Sequence, residues 1–139
     1  MAGGFVYNAI DQTEVATAEI YGKAISDIMQ KDPRVCAITA DLAKSTKLGD
    51  VLKTCPERVI NVGIAEQDMF GVGAGMARAG MIPFISGFSV FTSMRACDQL
   101  HTDICYQNVN AKIIATHAGT SFGQAGSTHH AIVYLAITR

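Results

Sequence analysis

Glu66 follows Gly63-Ile64-Ala65 at the end of a short apolar run and opens a stretch of small residues. A carboxyl in that setting is partly withdrawn from water and can share or donate a proton; the alternative is a first-turn helix acid favoured by the macrodipole. Phe88 and Phe91 stand three apart around a strand-to-helix junction and form either core or an aromatic wall beside that acid. An apolar wall with one acid suits a flat heteroaromatic ring that needs a hydrogen bond at its edge.

Other constellations carry weaker chemistry. Cys97, His101 and Cys105 recur every four residues, which places two thiols and an imidazole on one helical face. Without an evident fourth ligand, a packing face outweighs a metal site, and no metal ligand is assigned. His117, His129 and His130 with Ser121 and Ser127 contain the residue types of a hydrolase triad, yet no Gly-x-Ser-x-Gly elbow follows a strand. Binding and structural roles stay open for these histidines. Gly71-Val72-Gly73-Ala74-Gly75 fails the dinucleotide fingerprint because Met76 and Arg78 stand where glycine is needed. Packing glycines are the better reading.

Elements that would position these residues alternate between short β-branched runs and longer helical patterns, which predicts an α/β fold. The expected form is a three-layer domain with a mostly parallel sheet and helices on both faces. Residues 1–12 read as an arm and 13–139 as one domain. Asp11 with Glu14 caps a helix running to about Met29, with Ala18, Tyr21, Ile25 and Ile28 facing inward. Strands are expected at Val35–Ala40, Val59–Val62, Met81–Ser86 and Lys112–Thr116, with Gly87 a turn. Helices are expected at Lys47–Thr54, from Glu66 to Ala79, over Phe91–Tyr106, and after a glycine-punctuated loop, Gly119–His130. The small residues of the second of these predict close approach to a neighbour. Ligands of open parallel sheets bind beyond the carboxyl ends of the strands, where Asp41, Glu66, Phe88 and His117 fall.

The chain has 139 residues, 49% hydrophobic and 17% charged, with a net charge of -1. That balance offers no basic field for nucleic acid, and the apolar runs are far too short to span a membrane. Four cysteines without a CxxC, and no signal-like N-terminus, make a reducing cytoplasm the expected compartment.

Thr39-Ala40-Asp41-Leu42, Asn61 through Gln67, Ser86-Gly87-Phe88-Ser89-Val90-Phe91, and Ala115-Thr116-His117 through Thr128-His129-His130 together resemble the pyrimidine-binding domain of transketolase. The likeness covers roughly residues 13–132 and is nearest to the carboxy-terminal subunit of split transketolases. It implies thiamine diphosphate as cofactor, with Glu66 bonded to the aminopyrimidine N1′. That bond favours the imino tautomer, whose nitrogen removes the thiazolium C2 proton. It further implies that Phe88 and Phe91 pack on the pyrimidine, that Asp41 lies near the cofactor, and that His129 approaches donor hydroxyls in a catalytic role. Ser45 and His117 match positions at the sugar-phosphate end. The implied reaction moves a two-carbon ketol unit between sugar phosphates.

Three residues depart from the family pattern: Ala18 where a phosphate-binding arginine is common, Ala125 for a hydroxyl-reading aspartate, and Met94 for an aromatic. The resemblance further implies a diphosphate- and Mg2+-binding domain and a carboxy-terminal domain, both expected to lie outside these residues, so the expected partner is a diphosphate-binding transketolase subunit. The face of Phe91–Tyr106 bearing Cys97 and Leu100 is the candidate for pairing with a copy or that subunit, giving a dimer or other oligomer. Deoxyxylulose-phosphate synthase shares Gly-Ile-Ala-Glu-Gln and is the nearest catalytic alternative. A truncated, non-catalytic interaction module is the alternative of another class.

Overall fold

In the computed structural model, residues 16–139 are described. The expected arm and the Asp11–Glu14 cap lie outside them. Strand β1 (Val35–Thr39) is an unbroken apolar run, and all five of its residues are buried. Val35 and Ala37 face one layer, built from Ile25 and Met29 of helix α1 (Thr17–Lys31), with Leu48 and Val51, the latter in α2 (Gly49–Thr54). Ile38 and Ala40 face the other, built from Met69, Phe70 and Ala74 of α3 (Glu66–Arg78) with Ala96 and Ile104. The alternating sides of one strand thus hold three layers together.

Strands β2 (Val59–Asn61), β3 (Ile82–Phe88) and β4 (Lys112–Thr116) complete a four-stranded sheet in the order β2-β1-β3-β4. Every pairing is parallel. Beyond β3 the chain forms a helical stretch, Phe91–Arg95, α4 (Cys97–Gln99) and Leu100–Cys105, whose outer segments are π-wound. Bonds from Ala96 N to Phe91 O (3.2 Å) and from Tyr106 N to His101 O (2.8 Å) mark the wide turns. A 3-10 segment, Gly123–Thr128, and α5 (Tyr134–Thr138) follow β4. Among the described residues no helix is long and apolar enough to cross a membrane.

The structure corrects two expectations. The buried face of α1 is Gly22, Ile25, Ser26 and Met29, while Ile28 is 41% exposed. Small and polar residues obscured that stripe: Ser26 is accommodated by its 3.0 Å bond to Thr54 Oγ1. Tyr21 lies beside the stripe, its hydroxyl 2.6 Å from Ser86 Oγ, and burial pushes its phenol up to about 12 against the opposing effect of that bond. Gly87 is no turn; it lies within β3 opposite Ala115 of β4, and a Cβ there would meet Thr92 Cγ2 at 2.9 Å. Close approach, not chain reversal, requires that glycine. The expected close packing of α3 is found at Gly73, where a Cβ would stand 2.5 Å from Ile85 Cδ1.

Gly22 seats the loop between β1 and α2 on α1, because a methyl group at that position would run into the Lys47 carbonyl oxygen. Gly22→Ala is therefore expected to destabilise the chain by about 1–3 kcal/mol. Gly75→Ala, on open helix surface, should stabilise it by up to about 1 kcal/mol. Urea denaturation of both variants measures the contrast.

Candidate functional site

The carboxyl ends of the strands deliver the expected residues to one rim. Phe88 is the last residue of β3, His117 the first beyond β4, Asp41 lies just past β1, and Glu66 begins α3 after β2. Asp41 and His117 take left-handed backbone conformations, with φ of 59° and 56°. Asp41 is fixed by Asn61, whose Oδ1 accepts from the Asp41 and Gly63 amides at 2.9 and 3.0 Å and whose Nδ2 donates to Asp41 Oδ1 at 3.2 Å.

Glu66 is only 3% exposed. Its Oε2 accepts a hydrogen bond from Arg95 Nη1 at 3.1 Å, and the guanidinium lies over the Phe91 ring, 4.3 Å from its centroid. A cavity of about 500 Å3 opens beside this pair, lined by Ile64, Ala65, Gln67 and Asp68 as well. The wide turn over Phe91–Arg95 brings the ring and the guanidinium to the same side of the chain.

Phe91 continues the line into an aromatic group. Its centroid is 6.1 Å from that of Phe88 and 5.3 Å from that of His129. Phe88 is covered in turn by His117 at 4.4 Å and Phe122 at 5.1 Å, and Phe122 stands 5.0 Å from His129. Four candidates from the sequence, Phe88, Phe91, His117 and His129, are thus brought together, and Glu66 joins them through Arg95. Ser45 is exposed on the loop after β1, with no described hydrogen bond to this group.

Three residues of the site escaped sequence reasoning. Arg95 had a signal, a cation four positions after Phe91 on a predicted helix; Phe122 had another, an aromatic residue inside a glycine-rich polar loop. Asn61 had its place at a strand end and at the head of the Asn61–Gln67 segment that carries the resemblance, though neither assigned it a role. The hydrolase arrangement does not form: His117 Nδ1 and His129 Nδ1 each lie 2.9 Å from the preceding threonine hydroxyl, while Ser121 Oγ donates to Ala118 O. Cys97, His101 and Cys105 are exposed and line a groove of about 610 Å3 between the 91–105 stretch and α5. Among the described residues no three His, Cys, Asp or Glu side chains converge as metal ligands. Leu100, expected on an outer face with Cys97, is half-buried against the core.

The arrangement offers the half-buried Phe91 ring, a sheltered carboxyl at its edge, and two imidazoles at its far side. Residues of these types can hold a planar ring by stacking and fix its orientation through one edge hydrogen bond.

Residues 13–139 match the family described as transketolase, pyrimidine binding domain. A solved split gene transketolase, described as an inactive beta4 tetramer, is 46% identical and superposes with a TM-score of 0.76 over 90% of this chain and 40% of that one. A protein of Methanocaldococcus jannaschii named as a transketolase C-terminal section is 40% identical over 86% of this chain and 38% of its own length. A 1-deoxy-D-xylulose-5-phosphate synthase of Carboxydothermus hydrogenoformans is 37% identical over 94% of this chain and 21% of its own. The chain therefore spans two fifths or less of the length of each of these relatives.

Burial, and secondarily the Lys47 cation, hold the His117 imidazole below its ordinary value of 6.5. Near that value the unfolded chain binds more protons at this site than the folded one, so the stability contributed by neutral His117 is lost as pH falls through 6.5 toward the folded value. An NMR titration of the ring should place its midpoint below 6.5 and move it upward in Lys47→Gln.

Proposed function

Because the chain belongs to the transketolase pyrimidine-binding domain family, we propose that it is the pyrimidine-binding part of a thiamine-diphosphate-dependent transketolase. Its reaction transfers a two-carbon ketol unit between sugar phosphates. The single observation that carries this reading is the buried Glu66 at the head of α3, joined to the Phe91 ring by Arg95 at the carboxyl rim of the sheet. A planar aminopyrimidine fits that donor set, since it needs an apolar face and a carboxyl at its edge.

Glu66 would hold the ring nitrogen N1′ through a shared proton, and the low exposure of its carboxyl would keep water from competing for that bond. Phe91, the more open of the two rings, would supply the stacking surface, and Phe88, buried beneath His117 and Phe122, would back it. Asp41, held rigidly by Asn61, borders the ring from the β1 end. His129 stands at the aromatic group's outer side, where it meets donor hydroxyls and moves a proton to or from them. His117 and Ser45 take the sugar-phosphate end, with Lys47 near His117 adding positive charge there. Thiamine diphosphate, when bound, supplies the acidic thiazolium carbon that carries the two-carbon unit. The diphosphate and Mg2+ are held by a partner subunit, a reading supported by relatives named as a split-gene form and a C-terminal section.

The 37% identity to a 1-deoxy-D-xylulose-5-phosphate synthase favours a second catalytic reading. Product analysis separates the two: a transferred ketol unit supports the first, a 1-deoxy sugar phosphate the second.

Glu66→Ala, assayed with the diphosphate-binding partner, is expected to lower turnover by about 100-fold or more, the scale of a lost proton-transfer group. The fold should persist, because the Arg95 side chain left behind is 49% exposed and remains solvated. Full turnover in a folded Glu66→Ala variant would overturn the proposal.

A further inference from the structure

Arg95 makes two contacts, one with a carboxylate edge and one with an aromatic face. Its Nη1 donates to Glu66 Oε2 at 3.1 Å, and its guanidinium carbon stands 4.3 Å from the Phe91 centroid. Those are the two groups assigned above to the cofactor's pyrimidine. A guanidinium is a flat, delocalised plate that donates hydrogen bonds from its rim and stacks on aromatic rings. An aminopyrimidine protonated at N1′ is likewise a flat, delocalised cation that donates from its rim, through N1′–H and the amino group.

We propose that Arg95 is a built-in stand-in for that ring, occupying the Glu66 oxygen and the Phe91 face until the pyrimidine displaces it. The inference rests on the reading of Glu66 and Phe91 as pyrimidine contacts. The burial contrast within the pair gives the exchange its direction. Glu66 is 3% exposed and cannot turn to water, whereas Arg95 is 49% exposed and can swing outward without emptying a core position. Glu66 also cannot be left alone, since a buried carboxylate without a partner is strongly unfavourable. Arg95 therefore leaves only as another edge donor arrives, the N1′–H of a protonated pyrimidine, which brings to Glu66 the proton and the positive charge that the departing guanidinium takes away. A ring that stacks but has no polar edge does not complete the exchange, so the pair selects for aminopyrimidines over apolar aromatics.

The test titrates 4-amino-2-methylpyrimidine into the full chain while NMR follows the Phe91 ring and the Ala65 and Glu66 amides. An occupant that holds the site for most of the time lowers apparent affinity by the fraction left open, so Arg95→Ala is expected to bind the pyrimidine about tenfold more tightly than the unmodified chain. Methylguanidinium should bind the same variant and be displaced by the pyrimidine. Arg95→Gln, neutral but still a donor, should shift affinity in the same direction and serves if the alanine variant does not fold. Equal or weaker pyrimidine binding, or no binding to either variant, overturns the proposal. The Glu66→Ala turnover assay reports separately on the reading beneath it.

Discussion

A carboxylate withdrawn from water at the head of a helix demands a hydrogen-bond donor, and the rim of this protein is arranged around that demand. Glu66 is placed there because α3 must pack Met69, Phe70 and Gly73 against the sheet, and the first turn of the helix is carried inward with them. Arg95 meets the need from the opposite element, and Phe91 steadies Arg95. From Phe91 the aromatic group runs unbroken through Phe88 to both histidines. Charge compensation and aromatic stacking therefore belong to one connected set, and a change at any member reaches the others.

The sheet supplies the rigidity that this set requires. With β1 buried on both faces and hydrogen-bonded to β2 and β3, its carboxyl end is held in register with its neighbours. Residues far apart in the chain consequently meet with fixed spacing. Asn61 at the end of β2 locks Asp41 beyond β1, which ties two strand ends into one edge of the site.

Much of this was legible in the residues themselves. β1 stands out because its burial on both faces is written in side-chain type, and β4, which has no fully buried residue, because Ile113 and Ile114 favour a strand. The rim positions follow from the strand ends, since parallel topology puts every carboxyl end on one side. The inward face of α1 was legible at Tyr21 and Ile25 but not at Gly22 and Ser26, which are buried for reasons of fit and hydrogen bonding that hydrophobicity does not encode. Gly87 misled for a related reason: the same residue serves both a turn and a close approach, and only the Thr92 and Met69 side chains beside it decide which. Arg95 escaped because its partner, Glu66, is 29 positions away and no local spacing announces the pair.

Two of the rim residues, Asp41 and His117, hold backbone angles at which a side chain is unwelcome. Glycine at either place would relax the chain by removing the clash between Cβ and its own backbone, while stripping the rim of an acid or an imidazole. The protein is thus less robust than its fold would permit. Selection for endurance alone would act on these two positions as on Lys47 and Asn108, which share the conformation, and a thermally hardened descendant retaining Asp41 and His117 while losing the others would betray continued pressure for chemistry.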